Sequence, residues 1–130
     1  MTMPDSTPLP YASPSDAAGV VSKAVVRAAD RLDLGAVALA RVLGLSPATV
    51  YRLRKGQFAL EWASKPFELA LLLIRLYRSL DAIAGGDRTV ARRWLKAENT
   101  ALGARPADLV TSVAGLVNVI AYLDARRAVL

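Results

Sequence analysis

Residues 36–55 read AVALARVLGLSPATVYRLRK, and this run constrains the fold more than any other part of the chain. Ala40 is small enough to let two helices cross closely. Gly44 is free to adopt the positive φ that a tight turn between helices requires. Ser46 and Pro47 follow as an N-cap and a first-turn proline, so a second helix starts at once. Leu39, Leu43, Leu45, Val50 and Leu53 fall where the two helices face a common core. An ordinary helical hairpin also turns on glycine, but the small residue, the glycine, the Ser-Pro start and the apolar register together predict a helix-turn-helix. Its second helix leaves Ala48, Thr49, Tyr51, Arg52, Arg54 and Lys55 outside the core. Such a helix suits a major groove, with its first side chains at base edges and its cations near phosphates. Ser46, Thr49, Tyr51, Arg52, Arg54 and Lys55 are the expected DNA contacts.

Charge supports this placement. The chain of 130 residues carries a formal charge of +6, with pI near 10.2. Residues 34–65 hold five cations against the single anion Glu61, whereas residues 1–33 hold three cations against four anions. The positive excess therefore coincides with the helix-turn-helix, as expected where phosphates supply much of the affinity. A hydrophobic fraction of 54% allows a proper core, and the few aromatics with abundant Ala, Leu and Val favour an all-α fold.

Helical punctuation divides the rest of the chain. Residues 1–14 hold four prolines and little periodicity, and are expected to form a disordered arm. Ser15 and Asp16 are expected to cap a first helix running to about Leu32, with Val20, Val21, Ala24, Val25, Ala28 and Leu32 on its apolar face. Pro66 opens a long helix ending at Gly85 and Gly86, apolar on nearly all sides. Such a helix is central to the core, and it is also expected to contribute a dimer contact. Asp87 caps a helix from Arg88 to Ala97. A last helix begins near Pro106 and is expected to run to about Ala125 on Leu109, Val110, Val113, Leu116, Val117, Ile120 and Leu123. The boundaries are thus an arm over 1–14, a helix-turn-helix region over 15–65 and a second helical region over 66–130.

The residue types for catalysis are sparse. There is no cysteine and no histidine, which removes thiol chemistry, the common zinc sites and a near-neutral general base. Most of the carboxylates sit at helix starts or on solvated faces, and no phosphate loop or nucleophile elbow is present. No catalytic residue, cofactor or metal ligand is expected. No charged n-region precedes an apolar h-region, and the apolar run Leu69–Leu76 is broken by Arg75, so the expectation is a cytoplasmic protein with no membrane contact.

The second half carries a resemblance. Trp94 and Leu95, then Asn99, Leu102 and Gly103, then Arg105, Pro106, Asp108 and Leu109, and finally Gly115 through Val119 to Tyr122 and Leu123, resemble the C-terminal toxin-binding domain of Xre/MbcA/ParS-type antitoxins. In that family the domain follows an Xre-like helix-turn-helix, which is the order here. The resemblance implies the antitoxin of a type II toxin-antitoxin system. Its partner would be a RES-domain toxin that degrades NAD or transfers ADP-ribose, with NAD the toxin's substrate and not a cofactor of this chain. It also implies autorepression of the shared operon and a homodimer within a toxin-antitoxin hetero-oligomer. Residues 66–130 would then be the dimerisation and toxin-binding region. The expected toxin contacts are Asn99, Arg105, Tyr122, Arg126, Arg127 and Leu130, with the basic and apolar tail entering the toxin's NAD pocket. Arg126 and Arg127 also suit the dipole of the last helix. The other reading, of a different class, is a dimeric helix-turn-helix repressor without a toxin partner.

Overall fold

The structure, a computed structural model, describes residues 13–128. These residues form an all-α bundle of α1 (Pro14–Arg31), α2 (Ala36–Leu43), α3 (Pro47–Arg54), α4 (Lys65–Ile83), α5 (Arg88–Lys96), α6 (Pro106–Leu109) and α7 (Val113–Ala128). The expected arm lies outside the described residues except for its last two, Ser13 and Pro14, which are the N-cap and the first residue of α1. Ser13 accepts a hydrogen bond from the Asp16 amide at 3.2 Å, and Pro14 occupies the first turn. The cap is therefore Ser13 and not Ser15 or Asp16, and Asp16 instead places its carboxylate in the first turn, where the helix dipole favours it.

α4 is the centre. It packs against α1, α2, α5 and α7, and Ala70, Leu73 and Leu76 have no exposed surface. Each fully buried leucine contributes roughly 1.5–3 kcal/mol of transfer free energy, so this helix alone anchors much of the core. The long apolar helix is thus the core helix that its composition predicts, with Leu71 left 45% exposed on the outer side.

On α1 the inward stripe is Ala18, Ser22, Val25, Ala29 and Leu32, spaced by four and three as a helix requires. Val20, expected on this face, is 63% exposed. Ser22 takes the inward place and is only 6% exposed. Its hydroxyl donates to the Ala18 carbonyl at 2.6 Å and accepts from the Leu60 amide at 2.9 Å. That second bond pins the connector between α3 and α4, and Leu60 is 2% exposed as a result.

The last helix is not continuous. α6 ends at Leu109, and Ser112 starts α7 by accepting from the Gly115 amide at 3.0 Å with its hydroxyl and from the Leu116 amide at 2.8 Å with its carbonyl. Local Ser and Thr bonds compete with helix propagation. The Thr111 hydroxyl adds to this by donating to the Asp108 carbonyl at 2.7 Å. Restarting the helix changes its phase, so Leu116, Ile120 and Leu123 point inward while Val113 and Val117, expected inside, are 56% and 47% exposed.

Ser22→Ala should destabilise the fold by about 1–3 kcal/mol, because it buries the Leu60 amide without an acceptor. Urea denaturation followed by circular dichroism measures this, and unchanged stability would show that the pin contributes nothing.

Candidate nucleic-acid interface and C-terminal partner surface

The turn between α2 and α3 is built as the sequence predicts. Gly44 sits at φ 70° and ψ 33°, where a side chain would be strained. The Leu45 amide bonds the Ala40 carbonyl at 2.9 Å across it. Ser46 caps α3 through the Thr49 amide at 3.1 Å, and the Ser46 and Thr49 hydroxyls lie 2.9 Å apart. Leu39, Leu43, Val50 and Leu53 are buried, with Leu45 half-buried beside them.

The opposite face of α3 is exposed along Ala48, Tyr51, Arg52 and Lys55, positions i, i+3, i+4 and i+7 of one stripe. Tyr51 is 57% exposed, and the Lys55 ammonium lies 5.0 Å from its ring centre. The Arg52 guanidinium lies 5.8 Å from the Phe58 ring, and its Nη2 is 3.4 Å from the Thr49 hydroxyl. Aromatic and hydroxyl neighbours thus hold two cations at the surface.

Arg54 is placed differently. Its Nη2 donates to the Leu34 carbonyl at 2.7 Å, its Nη1 lies 3.7 Å from the Asp30 carboxylate, and its Nε is buried without a partner. This arginine ties the end of α3 to the turn after α1. Sequence spacing placed it outside the core, but a side chain of this length folds back over the helix end to reach the Leu34 carbonyl in the turn after α1.

The C-terminal candidates separate into three settings. Asn99 and Arg105 build a loop. The Asn99 side chain accepts from the Leu102 amide at 3.0 Å, while Asn99 and Ala104 pair across a short bridge. Arg105 holds Asp108 through bonds of 2.9 and 3.0 Å. That pairing keeps the Asp108 carboxyl below its ordinary range and raises the Arg105 guanidinium, the hydrogen bond being the larger cause in each.

Tyr122 and Arg126 form the second setting. The Tyr122 ring stacks on Trp94 at 6.1 Å and 21°, and Arg126 lies over that ring at 5.3 Å while donating to its hydroxyl at 2.9 Å. Trp94 is accordingly half-buried, whereas Leu95 is wholly in the core.

Arg127 turns to the other side. It donates to the buried Ser79 hydroxyl at 3.1 Å, which in turn donates to Asp124 at 3.0 Å, and Arg75 closes the cluster on Asp124 at 2.6 Å. The cluster borders a cavity of about 730 Å³ between α1, α4 and α7 that also carries Val20, Leu71 and Arg78. Leu130 lies outside the described residues. Periodicity did not reveal the Ser79–Asp124–Arg75 cluster, since nothing local in sequence links α4 to α7.

Gly115 has a steric reason. A Cβ there would fall on the Leu109 carbonyl oxygen and 2.7 Å from its carbon. The end of α6 can approach α7 this closely only over a bare backbone.

Among the described residues no group of acidic side chains is arranged to hold a metal ion, and no helix is long and apolar enough to cross a membrane. The fold and its surfaces define a helix-turn-helix protein with an appended C-terminal helical domain. Residues 12–75 match the antitoxin Xre-like helix-turn-helix domain, and residues 79–128 match the antitoxin Xre/MbcA/ParS C-terminal toxin-binding domain. The chain belongs to the Xre/MbcA/ParS-type antitoxins. No curated protein matches it.

Gly115→Ala should cost about 1–3 kcal/mol through overpacking at the α6–α7 junction, read as a lower melting temperature; an unchanged one would mean that the junction opens freely. Arg52→Ala should weaken DNA binding and flatten its salt dependence by about one counterion. Arg54→Ala should lower thermal stability and leave that slope intact. Titrations at several salt concentrations beside thermal melts separate the two arginines, and interchanged phenotypes would overturn the assignment.

Proposed function

We propose that this chain neutralises a RES-domain toxin, an enzyme that consumes NAD or transfers its ADP-ribose, and represses its own operon as a two-fold dimer in the cytoplasm. It acts by binding, and NAD is handled by the partner. The observation that carries the reading is the succession of the two matched antitoxin domains along one helical chain. The exposed stripe of α3 gives the first domain a DNA-reading face, with Tyr51, Arg52 and Lys55 outward.

In this reading α3 lies in the major groove. Ser46 and Thr49 stand at its N-terminal end near base edges, and Ala48 offers a methyl suited to a thymine methyl. Arg52 and Lys55 meet the phosphates. Arg54 acts from behind and holds the helix in place. At the other end of the chain, Tyr122 with Arg126 offers a cation on an aromatic platform, and residues 126–130 supply the tail that occupies the toxin's pocket. Asn99 and Arg105 support that surface by fixing the loop before α6.

Co-expression with the protein encoded beside it tests the reading. A stable complex and rescue from a toxic, NAD-consuming neighbour are the expected results. Removing residues 125–130 keeps Asp124 with Arg75 and Ser79 but takes the Arg127 bond to Ser79 away, so a thermal melt accompanies the assay; it should abolish rescue while sparing DNA binding. Full rescue by the shortened chain would remove the tail from toxin control. Absence of both complex and toxicity would favour a dimeric repressor without a toxin partner.

A further inference from the structure

The end of α1 with the turn after it, residues 30–34, is gripped from two sides. Its backbone is a closed helix end, with the Leu34 amide bonding the Ala29 carbonyl at 2.8 Å and the Asp33 amide bonding the Asp30 carbonyl at 3.1 Å. Asp33 takes the left-handed conformation at φ 58°, which an aspartate tolerates better than most residues. From the α3 side, Arg54 holds the Leu34 carbonyl and faces the Asp30 carboxylate. From the α5 side, Arg92 donates through Nε to the Arg31 carbonyl at 3.0 Å and through Nη2 to the Asp30 carbonyl at 2.9 Å. Lys96, one helical turn further along α5, pairs with the Asp33 carboxylate. That pair holds the Asp33 carboxyl below its ordinary range, chiefly through the hydrogen bond.

The chemistry explains why an arginine serves here. The last carbonyls of α1 have no partner within the helix and carry its negative dipole end. A guanidinium presents a planar fork of donors and spans two of them at once, which an ammonium does not. The same five residues therefore anchor the end of α3 and a helix that lies within the toxin-binding domain match.

We infer that Arg92, supported by Lys96, is a positioning residue for DNA binding: α5 fixes the residue 30–34 turn, and that turn fixes the orientation of α3 through Arg54. The inference rests on α3 being the DNA-reading helix. It makes the C-terminal domain part of the DNA-binding machinery without any contact between Arg92 and DNA. A helix tilted by loss of its anchor misplaces Tyr51, Arg52 and Lys55 together, so affinity falls although every contacting cation is still present.

Salt dependence distinguishes this role from a phosphate contact, and the probe is the duplex immediately upstream of the chain's own coding sequence. Arg92→Ala should weaken binding about fivefold or more, the lower end of coupling between linked sites, with an unchanged salt slope. Arg92→Lys, which keeps charge but not the fork, should weaken it nearly as much, whereas a phosphate contact would be largely restored by lysine. Lys96→Ala breaks only an exposed pair, leaves the fold intact and should weaken binding by a smaller factor. Thermal melts identify any loss of folded protein. Unchanged affinity in all three variants would overturn the inference, as would a slope reduced by about one counterion in Arg92→Ala. Failure of the wild-type chain to bind this duplex would instead count against the DNA-reading role of α3.

Discussion

The burial of α4 is the constraint on which the rest of the fold depends. A helix with Leu69, Leu73, Leu76 and Leu80 inward, and apolar side chains on its flanks, has to be covered from several directions. α1, α2 and α7 supply that cover, and the helix-turn-helix is held to the C-terminal region because both lean on the same central rod. The two antitoxin domains meet along this helix: the first match runs to residue 75, and the second starts at residue 79. The domains share a core, so their relative placement is a property of packing and not of a flexible linker.

Apolar burial alone would not fix how these helices are rotated. Leucines tolerate small changes of register, and volume-conserving cores lose uniqueness before they lose stability. Directional bonds supply the missing information at a few inward points. Ser22 sets the connector, Ser79 sets α7 against α4 through Asp124 and Arg127, and Arg54 sets α3 against the end of α1. A buried polar group without its partner loses more than a mismatched leucine would, so each of these bonds excludes neighbouring arrangements.

This division of labour explains what was legible in the sequence. Ser46, Pro47 and Gly44 act on their own neighbours, so the α2–α3 turn and the start of α3 were readable from local chemistry alone. The same holds for Pro106, Asp87 and the long apolar helix. Ser22 was hidden because a serine in an apolar stripe looks like a solvated interruption, and its partner Leu60 lies far along the chain. The break before α7 was hidden because Thr111 and Ser112 interrupt the helix without glycine or proline. Arg126 and Arg127 are neighbours in sequence, yet the phase of α7 sends Arg126 to Tyr122 and Arg127 to Ser79. Adjacent residues on a helix point about 100° apart, so neighbouring arginines need not serve one surface.

Contacts of this kind also divide the cations of the helix-turn-helix. The cation excess over residues 34–65 suggested a phosphate-binding region as a whole, but a cation contributes to counterion release only if it leaves water and salt for a phosphate. Arg54 already faces Asp30, and Lys65 pairs with Glu68 at 3.0 Å. Arg41, Arg52 and Lys55 form no ion pair with a carboxylate among the described residues, and two of these three lie on the exposed stripe of α3. If α3 reads DNA as proposed, at about 0.9 counterions released for each phosphate neutralised, this smaller group and not the formal charge sets the electrostatic share that the region contributes. On that proposal the remaining affinity has to come from the fit of α3 in the groove, which makes the rigidity of its anchors matter as much as the charge it carries.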